Sequence, residues 1–289
     1  MTLETRLLGD RWVWPIALGG AHWSLTEQPD DDKAVSVIHA AIDAGVNLLD
    51  TARAYTTITE PSHNEALIQR ALATHPRGKE ILVATKGGHY RAGTHDFPID
   101  GDPATLRSHV ANSRRTLAAD TLDLYFLHHP DPGVPIEQSA EALQKMKDAG
   151  EIAEIGLSNV TIDQIRRAQT VAQITAVENP LSLRNQSGLV LARLLARDHV
   201  AFLAYAPFGG PSQHSSMAQA FPGAAIVAAQ RDVTIHAVVL GWLLAQAPNV
   251  IPIVGANRPE SIIDSATTVP TDLTPVELAQ ISAPRSTKT

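Results

Sequence analysis

Short apolar runs alternate along this chain with longer stretches in which apolar residues recur every three or four positions. The runs cover residues 16–20, 47–50, 81–86, 122–127, 152–157, 176–177, 201–206 and 250–254, and each reads as a strand. Helical spacing fills the gaps. Asp30-Asp31-Asp32 puts negative charge where a helix start favours it, and Ala34, Val35, Ile38, Ala41 and Ile42 then recur at helical spacing until Gly45 stops the helix. Further helices are predicted over 64–73 and 104–117, and from Pro135 to Gly150 on the stripe Ala140, Leu143 and Met146. Others begin at Thr161 or cover 189–198, 224–231, 234–247 and 275–281. Ahead of these units, 4–8 and 11–14 flank Gly9-Asp10, a two-residue hairpin signal. Strands alternating with helices argue for a parallel sheet, and eight such units fit a closed (β/α)8 TIM barrel with an N-terminal β-hairpin. No linker or low-complexity tract interrupts this order, so residues 1–289 are expected to form one domain. Two loops stand out, 87–103, punctuated by Gly and Pro, and one around 209–214.

Composition narrows the class. Hydrophobic residues make up 44% of the chain and charged residues 18%, which suits a large buried core and not disorder. The net charge is -7 and no Lys/Arg block occurs, which argues against nucleic acid as a partner. There are no cysteines, so disulfides, thiolate nucleophiles and zinc–cysteine sites are excluded. The opening residues Met-Thr-Leu-Glu-Thr-Arg carry no signal-peptide core, and apolar windows such as 237–247 fall short of the ~20 residues of a membrane span. A cytoplasmic enzyme with no membrane association is the expectation, with its oligomeric state left open.

Candidate chemistry collects at strand ends. Asp50 ends the second run, Lys86 the third, and His128 follows the fourth. In a parallel barrel all three lie at the C-terminal mouth, where such barrels keep their chemistry, and Tyr55 sits on the loop just above. Each has a plainer reading. Asp50 and Lys86 could be a structural ion pair, Tyr55 a rim aromatic and His128 a core histidine, with His129 competing for any role. No G-x-G-x-x-G follows a strand, so the usual dinucleotide signature is missing. Nor does a His-x-His pair end the first strand, despite the 12 histidines, so a metal-dependent hydrolase has no visible ligand set.

Four motifs in order carry a resemblance: Leu49-Asp50-Thr51-Ala52 with Tyr55, Ala84-Thr85-Lys86, Leu122-Asp123-Leu124-Tyr125 through His128, and Ile155-Gly156-Leu157-Ser158-Asn159. With the hairpin and the eight units, the chain resembles the aldo-keto reductase family, roughly from Leu8 to Ala266. The resemblance implies hydride transfer between NADP(H), with NAD(H) as the alternative cofactor, and a small carbonyl or alcohol substrate. It makes Tyr55 the general acid/base. Tyrosine titrates near pH 10, and a neighbouring ammonium is expected to bring it toward the working range. Lys86 is then that cation, Asp50 its partner, and His128 the hydrogen-bond donor to the carbonyl.

The family's cofactor contacts fall on Gly20, Ser158, Asn159 and Glu178, then on Pro207, Phe208, Gly209 and Gly210 past the seventh strand. Past the eighth they fall on Gly255, Asn257, Arg258, Asp264 and Ser265. Ser158 or Asn159 would serve equally as a helix N-cap. Arg258 matches the 2′-phosphate ligand and favours NADP(H). Several positions depart from the pattern. Glu178 replaces a usual glutamine, Leu181 falls where many members have a tyrosine stacked on the nicotinamide, and Asp264 and Ser265 stand where Glu and Asn are common. Trp23, His89, Tyr90, His129 and Phe208 are expected to form the substrate pocket. A non-catalytic NADP-binding barrel acting as a regulatory subunit, known among the family's relatives, is the alternative.

Overall fold

In the computed structural model, which describes residues 3–25, 30–210 and 216–283, eight parallel strands close into a barrel. A hairpin of β1 (Arg6–Leu8) and β2 (Arg11–Val13) precedes it, turning at Gly9 with φ +60°. The barrel strands are β3 (Ala17–Gly19), β4 (Leu48–Asp50), β5 (Leu82–Gly87), β6 (Leu122–Leu127), β7 (Ile152–Ser158), β8 (Ile174–Pro180), β9 (Ala201–Tyr205) and β10 (Val250–Gly255). They neighbour one another in chain order, and β10 pairs with both β9 and β3 to close the ring. All eight predicted strands are present. β8 runs well beyond the expected 176–177, because its pairing with β9 continues to Pro180 opposite Tyr205.

Side chains alternate across each strand, as the two-residue period requires. Leu48, Leu82, Ala84, Leu124, Phe126, Ala176, Leu203, Ile251 and Ile253 fill the barrel, and Leu8 and Val13 of the hairpin join the same cluster. Leu49 and Val83 face outward to a separate cluster with α1 (Ala21–Ser24), α2 (Asp31–Asp43) and α3 (His63–Thr74), and Tyr125 and Leu127 face another with α4 (Pro103–Thr116) and α5 (Ile136–Asp148). Gly156 lies where a Cβ would come within 2.3 Å of the Phe126 ring. Gly156→Ala is therefore expected to cost roughly 1–3 kcal/mol of stability, an overpacking penalty that urea unfolding would measure.

The helix starts obey local chemistry. Asp30 caps α2 by accepting from Lys33 N, and Gly45 follows the helix at φ +100°. Pro135 sits at the N-cap of α5 instead of within its first turn. Thr161, not Ser158 or Asn159, caps α6 (Ile162–Ala168), through a reciprocal pair with Gln164. After α7 (Leu189–Arg197) the chain adds a short α8 (Met217–Ala220), α9 (Pro222–Arg231) and α10 (Ile235–Leu244) before β10. Then come α11 (Pro259–Thr267) and α12 (Pro275–Ser282). Of the loop expected around 209–214, Gly209 and Gly210 are described and 211–214 lie outside the described residues. Among the described residues no single helix is long and apolar enough to cross a membrane.

Candidate active site

Six neighbouring strands end in, or lead directly into, chemistry-bearing side chains. Asp50 ends β4, Lys86 is the penultimate residue of β5, and His128 follows β6. Ser158 ends β7, Glu178 lies opposite it on β8, and Tyr205 ends β9. Lys86 has no exposed surface, and Asp50 and Glu178 are each 3% exposed. The Lys86 ammonium donates to Asp50 Oδ1 and to Thr51 O at 3.0 Å. It also lies 3.2 Å from Glu178 Oε2, a charge contact without hydrogen-bond alignment, since that oxygen has no bonded partner among the described residues. The Tyr55 ring centroid is 5.3 Å from Lys86 Nζ and 5.7 Å from the His128 ring, which it meets edge-on. The loop holding Tyr55 is fixed at both ends: Tyr55 N donates to Ala52 O at 3.0 Å and Tyr55 O accepts from Asn64 N at 3.2 Å. So the four residues that the sequence singles out converge, joined by Glu178, which was expected only as a cofactor contact.

Burial and charge set their protonation. The His128 imidazole is driven well below its usual range by desolvation and then by the Lys86 charge and its neighbours His89 and His129, so it is neutral. Lys86 loses hydration, which pulls it down, but Asp50 and Glu178 together overcome this and hold it protonated. Asp50 is raised by burial, with Lys86 opposing. Glu178 is pushed up to about 8, by burial first and by the Asp50 charge second. Tyr55 overturns an expectation. Although part of the ring faces open space, burial raises the phenol above its ordinary value, and Lys86 only partly offsets this because Asp50 and Glu178 add opposing charge. The cation expected beside the phenol, with Asp50 as its partner, is shared with a second carboxyl, Glu178.

Above this cluster opens a cleft of about 1000 Å3. Asp50, Tyr55, His128 and His129 line it, as do Ser158, Asn159, Glu178 and Tyr205. Pro207, Phe208 and Gly210 follow on one side, and Gly255, Asn257, Arg258, Asp264 and Ser265 on the other. Such a continuous groove, from a buried acid–base cluster to a helix N-terminus, suits an elongated ligand with an anionic end.

An aldo/keto reductase family profile matches residues 15–284. The chain belongs to that family. It is 31% identical over 237 residues to pyridoxine 4-dehydrogenase of Escherichia coli, covering 79% of this chain and 78% of that one. The glycerol dehydrogenase of Gluconobacter oxydans superposes with a TM-score of 0.84 at 28% identity, covering 97% and 94% of the two chains. The fold is shared as well with an aldo/keto reductase from Klebsiella pneumoniae solved with NADP and acetate, at a TM-score of 0.79, 22% identity and the same 97% and 94% coverage.

Within this aldo/keto reductase several expected contacts lie elsewhere. Gly20 is not on the cleft wall. Its carbonyl accepts from Asn64 Nδ2 at 2.8 Å, a Cβ there would meet Asn64 Oδ1 at 2.5 Å, and Gly19 lines the cleft in its place. Gly209 is likewise set back, turning the chain at φ +87° so that Gly210 faces the groove. Trp23 is 7% exposed, pinned by its indole N–H to Ala256 O at 3.1 Å, and is core, not pocket. Tyr90 packs edge-on against His109, 5.5 Å away, off the cleft. His89 stands behind the wall, with its ring 5.0 Å from His128 and 4.8 Å from His129, so it supports the pocket without lining it. His129 and Phe208 do line the cleft, and Phe208 meets His236 edge-on at 4.8 Å. Asp264 spends its carboxylate on Thr234 and Thr268, at 2.6 and 2.9 Å.

Leu181, which falls where many family members have a tyrosine, does not reach the cleft at all. Leu181 is fully buried in the outer core, whereas Tyr205 lines the cleft and donates to Asn159 Oδ1 at 2.7 Å. Asn159 in turn donates to His128 O at 3.0 Å, bracing β6, β7 and β9 together, and holds φ +60° to do so. A tyrosine at the end of the seventh barrel strand, immediately before Ala206-Pro207-Phe208, was the overlooked signal.

Proposed function

We propose that this aldo/keto reductase transfers hydride between NADP(H) and the carbonyl of an aldehyde or ketone, or the corresponding alcohol in reverse, with Tyr55 as general acid/base. The observation that carries the reading is the convergence of Asp50, Tyr55, Lys86 and His128 at the closed end of one groove whose far end is a helix N-terminus beside Arg258. The groove's residues fit a dinucleotide. Gly210, at φ +100° with open space where a Cβ would stand, lets backbone approach a phosphate, and α11 presents its positive N-terminal end beside Arg258, although Pro259 has no N–H and Ser261 N donates to Arg258 O. Ser158 and Glu178 stand beside the catalytic end, where the family pattern puts the nicotinamide contacts. When bound, NADPH supplies the hydride.

The chain's own residues manage the proton. His128, neutral, donates a ring N–H to the carbonyl oxygen and orients it. Tyr55 passes its phenolic proton to that oxygen as negative charge develops there, and the Lys86 ammonium stabilises the phenolate left behind. Asp50 keeps the ammonium in place. His129 and Phe208 bound the substrate side with partly aromatic surface.

Following the absorbance of NADPH and of NADH separately against a panel of aldehydes, ketones and polyol-derived carbonyls tests the reading. Turnover with NADPH supports it, and no turnover across the panel despite NADPH binding overturns it in favour of a binding-only barrel. Arg258 is exposed on the cleft wall, and its forked donors suit a 2′-phosphate. Arg258→Ala is therefore expected to raise KM for NADPH by about 10- to 100-fold, the worth of one charge-assisted contact, and to leave KM for NADH nearly unchanged. Equal changes for both cofactors would remove Arg258 from that role.

A further inference from the structure

Glu178 is a buried carboxyl whose charge the mechanism above leaves unused. The closed end of the cleft holds one ammonium, Lys86, and two carboxyls, Asp50 and Glu178. Asp50 takes the aligned hydrogen bond from Lys86, and Thr51 O takes another. Glu178 Oε2 is left at 3.2 Å, buried and without a hydrogen-bond partner among the described residues. With both carboxyls ionised, the pocket would carry one unbalanced negative charge out of reach of water, which is costly. A single proton removes it. That proton belongs on Glu178, because Asp50 is the carboxylate stabilised by the aligned ammonium.

We infer that Glu178 is a positioning residue acting on Tyr55 through Lys86: with its proton it leaves the ammonium's field to the phenol, and without it the field is cancelled. The inference deepens the proposed function and rests on Tyr55 as proton donor. The groups facing Glu178 are Asp50 and Tyr55 from the β4 side, Lys86 from β5 and Tyr205 from β9, and of these only Lys86 is cationic. Burial and the Asp50 charge place the Glu178 transition at about 8, while the Tyr55 phenol is raised above its ordinary value, so the carboxyl titrates first as pH rises.

Glu178→Gln keeps the size of the side chain and fixes the neutral state. In the wild-type protein, kcat for NADPH-dependent reduction is expected to fall on the order of a hundredfold as pH rises through the Glu178 transition, the scale of a unit charge ~5 Å away at an effective dielectric near 20. In Glu178→Gln that alkaline limb moves up by about one pH unit or more. A limb left where it was overturns the inference.

A second measurement needs neither cofactor nor turnover. The unfolded chain loses the Glu178 proton near pH ~4.3, but the folded protein keeps it to about 8. A carboxyl raised in this way withdraws stability as pH climbs between those values, and glutamine withdraws none. The Tm of Glu178→Gln relative to wild type should therefore climb steadily from about pH 5 to about pH 8. A difference that stays constant with pH overturns the protonated state. If Tyr55→Phe kept its turnover, the proposed function would fall while this divergence in Tm remained, so the two failures are distinguishable.

Discussion

Tyr55→Phe is expected to lower kcat for carbonyl reduction by about 10³-fold while Kd for NADPH stays within about twofold, because the change removes one hydroxyl and a positioned acid contributes ~10²–10⁴-fold. The ring stays, so its edge-on contact with His128 and its place beside Lys86 survive, and the pocket wall keeps its shape. The size of the loss follows from how little else can donate. His128 is neutral and buried, and the Lys86 ammonium is committed to Asp50 and Thr51. Steady-state kinetics with NADPH, paired with a fluorescence titration of the cofactor, separates the two quantities. Turnover near the wild-type rate would remove Tyr55 as proton donor.

Lys86→Met should cost about 3–5 kcal/mol of stability in addition to most of the activity, because it strands two buried carboxyls with no cation between them. In a protein of this size that is a Tm lowered by roughly 10 °C, read by calorimetry. The deficit has a pH signature. Asp50 and Glu178 are both raised by burial already, and without the ammonium they rise further, so the loss shrinks as pH falls and both take up protons. The double variant Lys86→Met with Asp50→Asn is expected to be more stable at neutral pH than Lys86→Met alone, since it removes the carboxyl that otherwise stands charged beside a protonated Glu178. If the single variant lost no stability, the pair would be a surface-like contact despite its burial.

Why the sequence foretold so much of the barrel is plain from particular elements. Strands 122–127 and 152–157 are short apolar runs, and the helices between them carry stripes such as Ala140, Leu143 and Met146, so period alone distinguishes strand from helix. The second through fourth strands each place a polar residue at or just past an apolar run, and parallel pairing then brings Asp50, Lys86 and His128 to one rim with no further information. The expected 176–177 strand was too short because β8 mixes Thr175, Glu178 and Asn179 into its length, and only pairing with β9 reveals its extent. Trp23 and Tyr90 were misjudged because an aromatic on a loop can turn into the core or toward the cleft with the same spacing. For Trp23 the choice is made by Ala256 O, which lies 233 residues away.

The chain's own pattern thus determined the eight strand–helix units, their parallel order and the rim on which the acid–base residues gather, since each depends on neighbours within a few residues. Only the closed barrel decided where Glu178 sits. It lies 92 positions after Lys86, on a strand three places round the ring, and comes within 3.2 Å of the ammonium when β4 through β8 lock in register. The charge state of the phenol was beyond reach for the same reason. Electrostatics depends on distances through space and on exclusion of water, and both exist only once the chain has folded.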